Sequence, residues 1–309
     1  MKVSTAEPRK SEYDGKPTPC PVSVLIPTKN DGRNLEKCLQ AIRGWAGEVV
    51  VVDSHSTDQT VDIATRHGAH VLQFSYDGGW PKKRNWAIDI HPWKNVWLLL
   101  LDADEEVPAA LRDEISQIVS DPKSYDGYWI GLVPFFLGKP LRFGDSGLRK
   151  LSLFKRGKGR YERRLDRDDS GFDMEVHEHV VVDGSVAETR NKLIHHNVNS
   201  LTEYIDKHNR YSSWEAAVFM QAMPGGLQPS PFGNQAQRRR WIKRFIMSTP
   251  GAPILMFLYT YIGRLGFLDG RAGLTFAGFR MVQWFHIRAK IHERRLAYAT
   301  RERVPKSTS

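Results

Sequence analysis

The sequence predicts an α/β fold on a mostly parallel central sheet, and three runs carry that prediction. Val22-Ser23-Val24-Leu25-Ile26, Glu48-Val49-Val50-Val51-Val52-Asp53 and Trp97-Leu98-Leu99-Leu100-Leu101-Asp102 are short and mainly apolar. Runs of this kind suit strands buried on both faces of a sheet covered by crossover helices. Stretches with helical spacing separate them, giving the strand–helix alternation of such a fold.

Residues 1–20 are polar, contain no apolar signal-peptide core, and read as a flexible tail. The first strand runs into the turn-rich Pro27-Thr28-Lys29-Asn30-Asp31-Gly32. Leu35, Cys38, Leu39, Ile42 and Trp45 then recur at helical spacing. After the second strand, Ser54 to Asp58 offers caps for a helix from about Gln59 to His67, which Gly68 stops. His70-Val71-Leu72 is a short third strand, Gly78 to Pro81 a turn, and Lys82 to Ile90 a short helix. Beyond the fourth strand, Pro108 opens a helix to about Val119 as its first residue. The pattern then changes, with strands expected over Tyr128–Val133, Leu151–Phe154 and the alternating Glu175–Val182. Ser200-Leu201-Thr202-Glu203 is a capping box that opens a helix to about Gln221. The expected division is a tail (1–20), an α/β domain (21–223), a Pro/Gly linker (224–234) and a basic helical region (235–309).

The chain of 309 residues has a net charge of +10, unevenly spread. Residues 238–309 hold 15 Lys/Arg against 3 Asp/Glu, whereas the first 237 residues hold 30 against 32. Such asymmetry points to an anionic surface. The cations are mixed with Trp, Phe, Leu and Ile, so a lipid surface is expected and nucleic acid is not. Phe245 to Gly263 is uncharged for 19 residues, long enough to span a bilayer, but Pro250, Gly251 and Pro253 interrupt it and Arg264 follows. Ala272 to Phe285 is broken by Arg280. In-plane helices on the cytoplasmic leaflet are the expected arrangement, with a true span or a soluble basic subdomain as alternatives. Cys20 and Cys38 lack metal-ligand spacing and suit a reducing compartment.

Ligands of parallel sheets bind at the carboxyl ends of the strands. Pro27-Thr28, Asp53, and Asp102 with Asp104 all fall at such ends. The one-residue spacing puts both carboxylates of Asp102-Ala103-Asp104 on one side of an extended chain. Two like charges held together favour a cation, and Mg²⁺ or Mn²⁺ bridging to substrate phosphates fits oxygen ligands. Solvated or helix-capping acids are the plainer alternative. No GxGxxG follows the first strand, and no GxxxxGK[ST] occurs anywhere.

SVLIPTKNDGRNLEKCL, EVVVVDSHSTDQTVDIA, KKRNWA and LLLLDADEE, in this order, resemble the nucleotide-sugar half of family 2 glycosyltransferases, which have the GT-A fold. WPKKRNWA, KLSLFKRGKGRYE, VHEHV and GFLDGRAGL resemble a bacterial subgroup adding β-linked sugars to lipopolysaccharide inner core and related lipid-linked glycans. The resemblance implies that Pro27, Thr28 and Asp53 hold a nucleotide's base and ribose, and that Arg84 contacts base or diphosphate. Lys82 either assists or is solvated. Asp102 would contact ribose or metal-bound water, and Asp104 would bind Mn²⁺ or Mg²⁺.

An inverting displacement needs a general base. Glu178 is the candidate, with Asp173 and Glu175 as rivals and His177 as an orienting partner. A solvated acid is the plain alternative for Glu178. His195, of the pair His195-His196, would complete the metal site or merely make local hydrogen bonds. Ser152 stands where the subgroup often has Arg. Lys155 and Arg156 would meet an anionic acceptor or be solvated. The implied activity moves a sugar, glucose being expected, from a UDP-sugar to a lipid-linked glycan acceptor at the inner face of the membrane. Two alternatives remain: a nucleotidyltransferase, although the loop after the first strand lacks its glycines, and a non-catalytic membrane-bound nucleotide-sugar binding protein.

Overall fold

The computed structural model describes residues 18–145, 147–163, 173, 175, 178–196, 200–220, 230–232 and 235–302. Its first half alternates as expected: β1 (Cys20–Thr28), α1 (Gly32–Ile42), β2 (Ala46–Asp53), α2 (Thr60–Arg66), β3 (His70–Gln73), α3 (Lys83–Ile90) and β4 (Trp97–Leu100). Then come β5 (Glu105–Glu106), α4 (Ala109–Ser120), β6 (Gly127–Phe136), β7 (Lys139–Pro140), β8 (Arg149–Lys155), β9 (Gly159–Tyr161), β10 (Val180–Val182) and β11 (Val186–His195). The helices α5 (Leu201–Met220), α6 (Gln235–Ser248), α7 (Ala252–Leu258) and α8 (Gly270–Glu302) complete the chain.

The main sheet has the order β3-β2-β1-β4-β8-β6-β11-β5, with β7 on β6. β3, β2, β1 and β4 are mutually parallel. β8 runs against both β4 and β6, while β11 lies parallel to β6. Six strands of this path therefore share one direction, and only β8 and β5 oppose it. Successive residues of the apolar strands feed opposite faces, as the pleat requires. Val24, Ile26, Val51 and Leu99 pack with α1 and α4 through Leu35, Leu39, Leu111 and Ile115. Leu25, Val50, Val52, Leu98 and Leu100 pack on the other face with Ala87 of α3 and Trp93.

Several expectations are corrected. β1 begins at Cys20, so that buried thiol belongs to the sheet and not to the tail. Pro108 precedes α4 as its cap, because its backbone is still extended (ψ 156°). Among the described residues of the run 175–182, strand is found at Val180–Val182, in a separate pair with β9. Strand β11 is not among the strands that the sequence pattern predicts.

The C-terminal helices pack back onto the domain. Ala216 of α5 meets Met247, Ala252, Trp284, Ile287 and Ile291 in one cluster. Phe136 and Leu141 meet Tyr204, Ala272 and Phe276 in another. The uncharged run 245–263 is split among α6, α7 and a wide turn at Tyr259–Gly263. Among the described residues no helix is long and apolar enough to cross a membrane.

Candidate active site

The carboxyl ends of β1, β2, β4 and β11 bring Thr28, Asp53, Asp102, Asp104 and His195 to one edge of the sheet. Asp53 is fully buried. It accepts hydrogen bonds from Thr28 Oγ1 (2.9 Å), Ser56 N (2.8 Å) and Ser56 Oγ (2.5 Å). In this structure Asp53 therefore shapes the β1 and β2 loops from within, and its carboxylate is sealed from solvent. Pro27 lies in register with Val52, one step before the Thr28–Asp53 pair.

Asp102 sits between two cations. Its Oδ1 is 2.5 Å from Arg84 Nη2 and its Oδ2 is 3.0 Å from Lys150 Nζ. Burial opposes its charge, but Lys150 and Arg84 outweigh burial and hold the carboxyl well below the usual range. Lys150 also meets Glu105 Oε2 at 2.6 Å. There burial wins, and Glu105 is raised above its ordinary value. The Tyr161 ring lies under Arg84, 5.4 Å from the guanidinium carbon. Burial pushes the Tyr161 phenol up to about 12.

Asp104 faces His195, with Oδ2 3.4 Å from Nε2 and 3.9 Å from Lys207 Nζ of α5. Burial disfavours the charge on both partners, yet their mutual attraction lowers Asp104 and raises His195. His196 turns away to Glu106 Oε2 (3.1 Å) and Lys37 (2.9 Å), so the two histidines have separate partners. Among the described residues no three His, Cys, Asp or Glu side chains are placed to enclose a metal ion. Mg²⁺ and Mn²⁺ do not need such a cage, since waters and substrate phosphates complete an octahedron. Two ligands at roughly 2.1 Å on adjacent corners stand about 3 Å apart, close to the Asp104–His195 separation. The pair thus fits a divalent ion, whereas Asp102 is committed to Arg84 and Lys150.

The sign of the His195 shift gives a test. Its pairing contributes stability fully below about pH 6.5, the unfolded value, and loses it as pH rises through the raised folded value. Asp104 contributes above its unfolded value and loses this as pH falls through its lowered one. In EDTA, His195→Gln is expected to show its largest deficit in urea unfolding near pH 6 and a smaller one at pH 9. An equal deficit at both would contradict the ion pair.

The N-terminal turn of α3 is lined with carboxylates. Lys82, Lys83, Arg84 and Asn85 are all buried. Lys83 Nζ donates to the Thr28 carbonyl (2.7 Å) and pairs with Asp173 (3.1 Å). Glu175 accepts the backbone N–H groups of Arg84 and Asn85, both at 3.1 Å, capping the helix. Arg84 Nη1 donates to the Glu175 carbonyl. Glu178, 5% exposed, pairs with Lys82 at 3.3 Å. Solvation of Lys82 and Glu178 is thereby overturned. His177 lies outside the described residues. Lys155 and Arg156 brace the strand end instead of facing an acceptor, on Asp126 (3.3 Å) and the Trp93 carbonyl (2.7 Å).

Sequence pattern alone does not mark Lys150, Tyr161 or Lys207 as part of the site. Lys150 reaches Asp102 through the strand register: β8 pairs Leu153 with Leu99, and extending that register sets Lys150 opposite Asp102. Lys207 shares a helix face with Tyr204 and Tyr211.

The stretch 23–170 matches the model for glycosyl transferase family 2. Its α/β layout is the Rossmann-like one expected of a GT-A enzyme. The lipopolysaccharide core biosynthesis glycosyltransferase LpsC of Rhizobium meliloti is 27% identical over 299 residues, covering 89% of this chain and 93% of LpsC. An uncharacterized glycosyltransferase of Rickettsia bellii is 29% identical over 216 residues, 68% of this chain and 70% of its own. Among solved structures, the mannosyltransferase PcManGT from Pyrobaculum calidifontis, in complex with GDP-Man and Mn²⁺, is 16% identical. It covers 92% of this chain and 91% of that one, with a TM-score of 0.46.

Proposed function

We propose that this chain is an inverting glycosyltransferase that moves a sugar, glucose in our reading, from a UDP-sugar to a lipid-linked acceptor of the bacterial envelope. The observation that carries this is the Asp104–His195 pair beside the Arg84–Asp102–Lys150 cluster, on the ligand-binding edge of the sheet in a chain that matches the family 2 model over 23–170. The similarity to LpsC over nearly its full length supports a lipopolysaccharide-core type of acceptor.

The acceptor hydroxyl attacks the anomeric carbon, forming a new C–O bond. The bond to the diphosphate breaks, and the nucleoside diphosphate leaves with the electron pair. Asp104 and His195 would hold the divalent cation, which supplies charge neutralisation for the diphosphate. Arg84 and Lys150 add fixed positive charge on the same edge. Asp102 orients Arg84, and with it the base and ribose side of the donor. Glu178 takes the proton of the acceptor hydroxyl, while Asp173 and Glu175 are engaged in fixing α3. A single displacement assisted by one base inverts the anomeric centre.

The membrane is reached through the C-terminal helices. Phe245 (63% exposed), Ile254 (61%), Leu258 (42%) and Ile262 (56%) lie outside the core in the basic region. Such a surface suits the headgroup boundary of the cytoplasmic leaflet, with about 1 kcal/mol from each nearby cation. Phe245→Asp with Ile254→Asp is expected to lower cosedimentation with phosphatidylglycerol vesicles at least tenfold. Unchanged binding would remove this surface from the account.

The activity is tested with radiolabelled UDP-sugars and membranes of a strain deleted for the gene, where the acceptor accumulates. Label from one UDP-sugar should enter the lipid-linked glycan fraction. No incorporation from any nucleotide sugar would count against the reading.

A further inference from the structure

The connection from β7 to β8 lies on the catalytic edge. β6 runs parallel to β4 in direction, so its end emerges where β4 ends, and β8 starts from that edge with Lys150 on Asp102. The register sets Pro134 of β6 beside His195. Leu141 N returns to the Pro134 carbonyl at 2.8 Å. Leu141 packs with Tyr204 of α5 and Phe276 of α8. Residues 141–144 therefore border the site between its metal-binding pair and the C-terminal helices.

What holds this loop is Asp269, from the GFLDGRAGL motif just before α8. Its Oδ1 accepts the N–H of Arg142 at 2.9 Å, and its Oδ2 accepts those of Phe143 (3.2 Å) and Gly144 (2.9 Å). Hydrogen bonds to an ionised carboxylate are stronger than neutral ones, and three from successive residues fix the loop backbone. The motif's glycines permit the close approach. A Cβ on Gly144 would stand 3.3 Å from the Gly266 Cα, and one on Gly266 would stand 2.6 Å from the Thr260 carbonyl oxygen. One on Gly273 would stand only 1.9 Å from the Gly266 carbonyl oxygen. Nothing in the donor chemistry above uses this motif.

We infer that Asp269 is a positioning residue for glycosyl transfer: it holds residues 142–144 as the acceptor-side wall and ties that wall to the C-terminal helices. The inference rests on the transferase reading above. Donor hydrolysis needs only water at the anomeric carbon, so it should be spared where transfer is not.

The test uses the full chain with Asp269→Asn and Asp269→Glu. Asparagine presents an amide N–H₂ where a carboxylate oxygen accepted, while glutamate keeps both oxygens. Amide exchange followed by mass spectrometry should quicken at least tenfold over 142–144 in Asp269→Asn and stay unchanged in β1 and β4. Transfer from the UDP-sugar to deletion-strain membranes should fall at least tenfold. UDP affinity and donor hydrolysis should remain within twofold, and Asp269→Glu should regain part of the transfer. Unchanged exchange over 142–144, or a loss of UDP affinity parallel to that of transfer, overturns the inference. If the unaltered protein transfers nothing, the transferase reading fails and the acceptor role with it, while the exchange result still reports whether Asp269 anchors the loop.

Discussion

Asp104→Ala is expected to cut nucleotide-sugar turnover by about 100-fold or more, the scale seen when a group stabilising transition-state charge is removed. The fold should survive. Asp104 lies just beyond β4 and is partly exposed, and His195 can shed its proton once its partner is gone. Lys207 sits 3.9 Å away and is itself partly exposed, so no fully buried charge is stranded. Turnover and thermal unfolding measured side by side check this. Wild-type turnover in the variant would remove Asp104 from the site, while an unfolded variant would assign it a structural role instead.

Glu178→Gln is expected to lower transfer by about 100- to 10,000-fold, the usual contribution of a general base, while leaving UDP binding intact. The neighbouring carboxylates provide the contrast. Glu175 caps α3 and Asp173 pairs with the fully buried Lys83, so Glu175→Gln and Asp173→Asn should lower thermal stability along with activity. Glu178→Gln should lower activity beyond any stability change from the Lys82 contact. Full transfer by Glu178→Gln would pass the base role to another carboxylate.

The parts of this architecture legible in the sequence are those written by local pattern. The Val and Leu runs of β1, β2 and β4 could only be buried on both faces, and the acids that end them mark the ligand edge. The structure pairs His195 with Asp104 and His196 with Glu106, a division that the bare His-His sequence does not show. Strand β11, which delivers His195, was hidden for a physical reason. Its more buried positions, Ala187, Thr189, Asn191 and Leu193, do alternate with a period of two, but Thr and Asn stand among them and Val186 faces out, so the run carries little hydrophobic contrast. Lys150 and Lys207 were hidden by distance along the chain, since only the antiparallel register of β8 and the packing of α5 bring them to Asp102 and Asp104. Local pattern leaves Lys82 open between assisting and solvated and gives Lys83 no role, because their partners, Glu178 and Asp173, lie some 90 residues later. Asp269 could be noticed as part of a motif, but its use depends on where β7 returns to β8.

The central claim is that Asp104 and His195 form a metal-dependent nucleotide-sugar site. It is tested most directly by UDP release from a panel of UDP-sugars, with Mn²⁺ or Mg²⁺, then with EDTA, then with metal restored. The account predicts hydrolysis of one UDP-sugar, its loss in EDTA and its return with the metal. Hydrolysis indifferent to EDTA would contradict the metal assignment, and failure to bind any nucleotide with metal present would contradict the site itself.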